Sequence, residues 1–150
     1  YWSVFMVEGI PKESPESIDG APEKIGMGIE QVFRYAVQMV THVGESGKKN
    51  IQFIGTRLLK IDNKQQILEL DVENTGELML RATLWAELYG LEGQYVGKFE
   101  AGSLRIYPGT SVRFKVDLTS VPKSNYMAMV VVDSGGESVF GANINLVLKQ

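Results

Sequence analysis

The sequence offers few side chains that could perform acid–base or metal chemistry. His42 is its one histidine and it has no cysteine, so a zinc site or a Ser-His site has little to build on. The carboxylates of Glu69, Asp71 and Glu73 alternate with apolar residues, which is typical of a solvated sheet face and of ordinary pKa values. We therefore predict that His42 is solvated on the outer face of a strand, and that the protein is not an enzyme and holds no metal or cofactor.

Two other groups of residues could bind a ligand. Asp62, Asn63 and Asp133 are oxygen ligands, but they lack the dense alternation of such ligands that a calcium site requires. Trp85 and Tyr89 fall on the outer phase of a strand, where they form either a ligand platform or aromatic side chains covered within a β-sandwich. The sequence favours the covered arrangement.

Composition restricts the class of protein. The chain has 150 residues, of which 44% are hydrophobic and 22% charged, and this suits one globular domain or two small ones. With a net charge of −3 and scattered basic residues, nucleic acid is not an expected partner. No apolar run approaches the roughly 20 residues that cross a bilayer. The chain starts inside an apolar run at Tyr1, without an initiator methionine or signal-peptide pattern, so we expect that an upstream segment with any targeting information has been removed.

The segment from Met27 to Val43 fits two periodicities. Alternate residues are mostly apolar, as in a strand, and apolar residues also recur at the three-and-four spacing of an amphipathic helix. Branched and aromatic side chains predominate and no capping residue precedes the segment, so a strand is favoured and a helix is the alternative. Such a strand would be on the order of 55 Å long at ~3.3 Å per residue.

The residues before this segment predict a hairpin. Residues 1–7 are a short apolar run of strand-forming residues. Residues 11–26 contain three prolines and many polar residues, which is typical of a long exposed loop. An antiparallel hairpin of this kind is marginal alone and needs further packing. Residues 44–49 are rich in glycine and charge, and they resemble an interdomain linker.

From residue 50 onward the pattern is that of a regular β domain. Strands are predicted at 51–61, 66–74, 78–89, 94–99, a short segment ending at Tyr107, 112–118, 126–132 and 140–148. The 126–132 strand is apolar on both phases, which predicts a central strand covered on both faces. Short strands at roughly ten-residue spacing with turns between them predict an all-β fold, an immunoglobulin-like β-sandwich.

These segments together resemble a known family. The residues that carry the resemblance are a strand YWSVFMVEGIP, a polar loop, a long strand IEQVFRYAVQMVTHVG, and then VENTG, a YPG turn and a closing strand GANINLVL. They are similar to the PapD-like periplasmic pilus-assembly chaperones, in particular to a divergent bacterial branch described as molecular chaperones. The resemblance implies that residues 1–43 are the last strands of an incomplete, N-terminally truncated first immunoglobulin-like domain, that 44–49 is the linker, and that 50–150 is the second domain.

The resemblance also implies a function in the periplasm. In that family the long strand lends alternating apolar side chains to an incomplete secreted pilin-like subunit, which is strand donation. Carried over by position, the residues that contact the subunit are Phe33, Tyr35, Val37 and Met39, or the opposite phase of Val32, Ala36 and Val40. Arg34 is the one cation on the long strand, and no residue clearly matches the basic pair with which the family anchors the subunit's terminal carboxylate.

A second function remains open beside this one. The same fold would suit an extracytoplasmic immunoglobulin-like adhesion or scaffold domain without chaperone activity. We also expect the hairpin either to recruit strands from a second copy, as a strand-exchanged homodimer, or to pack onto the second domain.

Overall fold

A computed structural model describes residues 1–9, 32–41, 43, 46–61 and 65–149. Across these residues the chain is built of antiparallel β-strands, with no helix among them. The strands are β1 (Trp2–Glu8), β2 (Arg34–Val40), β3 (Ile51–Ile61), β4 (Gln65–Asn74), β5 (Leu80–Gly90), β6 (Tyr95–Ile106), β7 (Ser111–Asp117), β8 (Asn125–Asp133) and β9 (Val139–Val147). The chain divides into two compact units, Tyr1–Glu45 and Ser46–Gln150.

The first unit contains a two-stranded antiparallel ribbon of β1 and β2. Its register runs without a break from Trp2 opposite Val40 to Glu8 opposite Arg34. The observed strand β2 is therefore shorter than the predicted strand from 27 to 43. Of the predicted residues that the structure describes, 32, 33, 41 and 43 lie outside β2. Residues 27–31 lie outside the described part of the chain. The physical reason is that an extended segment is stabilised where a partner strand supplies hydrogen bonds. Among the described residues, the backbone bonds with the first strand extend no further than Phe33 and Thr41.

The second unit is the predicted immunoglobulin-like sandwich, and residues 46–61 and 65–149 form seven strands of it in two antiparallel sheets. One sheet has the order β3-β4-β7 and the other the order β6-β5-β8-β9. Alternating residues of both sheets point inward and form one core, as the period of two predicts. Fully buried members of this core include Leu68, Leu70, Val72, Phe114 and Val116 from the first sheet, and Leu84, Leu88, Val130 and Val132 from the second.

Strand β6 corrects a sequence-based prediction. The sequence predicts two strands, one at 94–99 and a short one ending at Tyr107, whereas Tyr95–Ile106 is a single strand. Its pairing with β5 shifts register between Leu84 and Trp85, next to Gly102, whose φ is +84°. A glycine in this left-handed conformation permits a bulge, so the strand bends without ending.

Strand β8 corrects another prediction. Tyr126, Ala128, Val130 and Val132 are buried in the core, as expected. On the other face Met127 is 41% exposed, so the strand is not covered on both faces. Apolar residues on one side of a strand can thus be only half covered, by neighbouring side chains of the same sheet. The sequence pattern does not distinguish this partial cover from burial under a second layer.

The later residues of the predicted linker are bonded to the sandwich. The Lys48 backbone N–H donates to Glu77 Oε2 at 3.0 Å, and the Glu77 N–H donates to the Lys48 carbonyl at 2.8 Å. A side chain at Gly47 would overlap Leu78, because a Cβ there would lie 2.6 Å from Leu78 Cγ. Residues 46–49 therefore follow the surface of the second unit, to which they are assigned.

Candidate functional site

The β1–β2 ribbon has two faces of different character. Residues directly opposite in the register point to the same face. The face that we call the Tyr35 face consists of Ser3, Phe5, Val7, Tyr35, Val37 and Met39. The other, which we call the Arg34 face, consists of Trp2, Val4, Met6, Glu8, Arg34, Ala36, Gln38 and Val40. Apart from Ser3, the Tyr35 face is formed by large apolar side chains, whereas the Arg34 face includes charged and amide groups.

The apolar side chains of the Tyr35 face are exposed. Phe5 is 56%, Tyr35 63% and Val37 50% exposed, and Val7 and Met39 are similar. Fully burying one side chain of this size is worth roughly 1.5–3 kcal/mol. Covering the exposed half of these five residues is therefore worth on the order of 5 kcal/mol. A contiguous apolar patch of this kind is a characteristic of interaction surfaces.

The Arg34 face has an ion pair at one end of the ribbon. Arg34 Nε donates to Glu8 Oε2 at 2.7 Å, and its second nitrogen donates to Oε1 at 3.4 Å. Both side chains are at least half exposed, so this pair contributes little to stability but helps to fix the register. The guanidinium of Arg34 thus already has a carboxylate partner on β1.

The hydrogen bonds at the ribbon ends define the direction of its backbone groups. Thr41 donates to the Tyr1 carbonyl at 2.9 Å and Gly9 donates to the Phe33 carbonyl at 3.3 Å. Because N–H and C=O groups alternate sides along a strand, the odd-numbered residues bond across the ribbon. The even-numbered residues, such as Ala36 and Val40 on β2, direct their backbone groups toward the outer edges.

The structure brings most of the predicted contact residues together. Tyr35, Val37 and Met39 lie on one face of β2, the Tyr35 face. Phe33 lies just before β2 and is also exposed. Of the opposite phase, Ala36 and Val40 lie on the Arg34 face and Val32 lies outside the strand. His42, Asp62 and Asn63 lie outside the described residues, so the predictions made for them stay predictions.

Trp85 and Tyr89 are neither covered in the core nor an open platform. Both are half-buried on the outer face of β5, where Glu87 accepts hydrogen bonds from Trp85 Nε1 at 3.2 Å and from the Tyr89 hydroxyl at 2.9 Å. The bond to Glu87 also raises the pKa of the Tyr89 hydroxyl. Lys98 Nζ lies 4.3 Å from the centre of the Trp85 ring. Neighbouring side chains therefore occupy the polar groups and one ring face that a ligand would use.

A second cluster, on the three-stranded sheet, corrects the prediction of a solvated acidic face. Glu69 is only 5% exposed, and Arg57, Arg113 and Lys115 surround it at 3.5–3.6 Å. Arg113 also makes a bidentate pair with Asp71, at 2.7 and 2.9 Å, which lowers the pKa of that carboxyl group. Alternation alone did not reveal that basic residues on both neighbouring strands cover Glu69.

Among residues 1–9, 32–41, 43, 46–61 and 65–149, no three side chains of the histidine, cysteine or carboxylate type come together as a metal site would require. In the same part of the chain there is no helix with the length and hydropathy to cross a membrane.

Comparison with known proteins gives no family for this chain. No protein-family model matches it, and no curated protein matches it. Among solved structures it is similar to part of β-glucosidase 3B from Thermotoga neapolitana in complex with α-D-glucose, with 11% identity and a TM-score of 0.44, over 68% of this chain and 16% of that one. It is also similar to part of DesR, a β-glucosidase from Streptomyces venezuelae, with 13% identity and a TM-score of 0.39, over 65% and 15% of the two chains. The chain spans about a sixth of these enzymes, and at such low TM-scores the similarity carries no argument about activity.

Proposed function

We propose that this chain binds a secreted, pilin-like surface subunit in the periplasm by donating strand β2, and that it does so without catalysing a reaction. The observation that carries the proposal is the Tyr35 face, on which Phe5, Tyr35 and Val37 are each at least half exposed. This face provides the alternating apolar side chains that strand donation requires.

The backbone of β2 suits the same role. The even-numbered residues, including Arg34, Ala36 and Val40, direct N–H and C=O groups toward the outer edge of the ribbon. A strand of an incomplete sheet could pair along this edge, while its own core covers the Tyr35 face. Backbone pairing would supply affinity, and the side chains at alternate positions would supply specificity.

Apolar burial and backbone pairing together favour formation of the complex. Burying the exposed half of the Tyr35 face contributes on the order of 5 kcal/mol, and pairing adds backbone hydrogen bonds of about 1 kcal/mol each. Part of this gain offsets the lost freedom of the two molecules, which costs at least roughly 4 kcal/mol. We assign no carboxylate-anchoring role to Arg34, because Glu8 already binds its guanidinium.

The second candidate is an extracytoplasmic immunoglobulin-like adhesion or scaffold domain. It is favoured by the sandwich of Ser46–Gln150, which has its own continuous core from Ile51 to Leu148. In that case the Tyr35 face would have no part in binding a surface subunit.

Paired substitutions on the two ribbon faces test the proposal. The chain is co-expressed in a bacterial periplasm with each pilin-like subunit encoded by the same genome, and the soluble complex is quantified by size-exclusion chromatography. Val37→Asp places a charge on the Tyr35 face, and we expect it to reduce recovery of the complex at least roughly tenfold. Met6→Asp places the same charge on the Arg34 face, on β1 and not on the donated strand, and should retain most of the complex.

Each variant must first show the wild-type circular-dichroism spectrum. The proposal is wrong if the wild-type chain recovers none of the subunits, or if Val37→Asp recovers as much complex as Met6→Asp.

A further inference from the structure

The four edge strands of the sandwich differ in how they are protected against pairing with another strand. Exposed edges are commonly protected by charged residues and bulges. Such charges are Arg57 and Lys60 on β3, Lys98, Glu100 and Arg105 on β6, and Arg113, Lys115 and Asp117 on β7. Strands β3 and β6 also contain register shifts. Strand β9, with the sequence VFGANINLV, has no charged residue, no proline and no bulge.

The outer edge of β9 has no partner strand within the described part of the chain, where β9 ends the order β6-β5-β8-β9. Leu148 donates its N–H to the Ser124 carbonyl at 2.9 Å. Even-numbered residues therefore bond toward β8, and the odd-numbered residues from Val139 to Val147 direct their backbone groups to the outer edge. An extended strand could bond along this edge without disturbing the β8–β9 pairing.

We propose that this edge binds β9 of a second copy of the chain, as an antiparallel pair centred on Asn143. A two-fold axis at Asn143 pairs Val139 with Val147 and Gly141 with Asn145 of the other copy. All of these are odd-numbered residues, so the groups that form hydrogen bonds face each other along the whole strand. The contact would be isologous, and it would join two four-stranded sheets into one of eight strands.

The side chains are complementary in this register. Val139 is 56% and Val147 48% exposed, and the pairing brings these two apolar residues together. The open hollow of about 230 Å³ beside Gly141 is lined in part by Met129 and Val131, and the Asn145 side chain of the second copy would lie over it. Phe140 and Ile144, which are half-buried at the core margin, would gain cover from Leu146 and Ala142 of the second copy, which lie opposite them in this register.

Charge favours pairing of two copies along β9 over pairing of two copies along a charged edge strand such as β7. Because β9 is uncharged, a two-fold axis brings no like charges together. On β7 the equivalent axis at Phe114 would place Arg113 opposite Lys115, and like charges directly opposite are destabilising. A contact of one strand pair is small, so we expect a weak dimer with a dissociation constant in the micromolar range.

Sedimentation of the full chain tests this dimer. We expect the average mass of the wild-type chain to rise from 16.6 kDa toward twice that value between roughly 10 and 500 µM. Asn143→Lys places two like charges at the two-fold axis and should weaken dimerisation at least roughly tenfold. Asn143→Gln, which is uncharged, should dimerise as the wild type does.

Two controls separate this edge from other surfaces. Ser103→Lys adds the same charge to an exposed position of β6, at the opposite edge of the same sheet. Val37→Asp tests the ribbon as the source of association. Both should dimerise as the wild type does. A wild-type chain that stays monomeric, a dimer that Asn143→Lys leaves unchanged, or a dimer that Val37→Asp abolishes would each overturn the proposal.

Discussion

Phe5 lies directly opposite Val37 in the β1–β2 ribbon, and both side chains are at least half exposed on the same face. This pair shows why the Tyr35 face is our candidate for partner binding. Each residue lies in the centre of its strand, where a core position would be expected, yet the described residues of the first unit place no second layer over them.

A designed disulfide should confirm the ribbon register. Met6 lies opposite Ala36 on the Arg34 face, and such neighbouring Cα atoms are within the range that a disulfide bridges. The chain has no native cysteine, so Met6→Cys with Ala36→Cys should form one intramolecular crosslink under oxidation. We expect mass spectrometry of the digested protein to detect it.

The matched control is Met6→Cys with Tyr35→Cys, whose side chains lie on opposite faces of the ribbon. This pair should stay reduced under the same conditions. Equal crosslinking in both variants would contradict the register.

Asn74 should be essential to the stability of the sandwich. It is fully buried, its Nδ2 donates to the carbonyls of Leu78 at 2.7 Å and Ile106 at 2.9 Å, and its Oδ1 accepts from the Gly76 N–H. A carboxylate cannot make the two donations, so Asn74→Asp should lower the free energy of unfolding by at least about 3 kcal/mol. Urea denaturation measures this loss, and Glu73→Gln on the other phase of β4 should cost less than about 1 kcal/mol.

The Asp71–Arg113 pair should make stability depend on pH in the acid range. Arg113 lowers the pKa of Asp71 below its ordinary value of 3.8. The unfolded chain therefore takes up the proton at a higher pH than the folded chain does. The stability due to Asp71 is complete above pH 3.8 and is lost as the pH falls through the folded pKa.

Asp71→Asn removes this dependence. We expect the variant to be less stable than the wild type at pH 7, and the difference between them to shrink as the pH falls below 3.8. Thermal unfolding at a series of pH values measures both effects. A difference that stays constant down to about pH 2 would show that the ion pair contributes nothing.

The fold was largely predictable from the sequence because solvent strongly constrains alternate residues of a sandwich. Leu68, Leu70 and Val72 alternate with carboxylates, and all three are buried in the core. The continuity of strand β6 was not predictable in the same way, because a glycine such as Gly102 also predicts a turn when its backbone conformation is unknown. Its positive φ instead produces a bulge within a continuous strand.

The candidate site was predictable only in part. Apolar alternation predicts Tyr35, Val37 and Met39 as contact residues, but it also fits the opposite phase with Ala36 and Val40. The choice depends on pairing with β1, since Phe5 and Val7 extend one face as apolar surface, whereas Glu8 adds charge to the other. Register between distant segments is a property of the folded chain and does not follow from local periodicity.

Hydrogen exchange tests strand donation most directly, with the chain free and bound to the pilin-like subunit that it recovers. The account predicts that the amides of Ala36 and Val40, which point to the outer edge of β2, exchange at least roughly tenfold more slowly in the complex. The amides of Tyr35 and Val37 already bond across the ribbon and should change less. Equal exchange of Ala36 and Val40 in the free and bound chain would contradict strand donation.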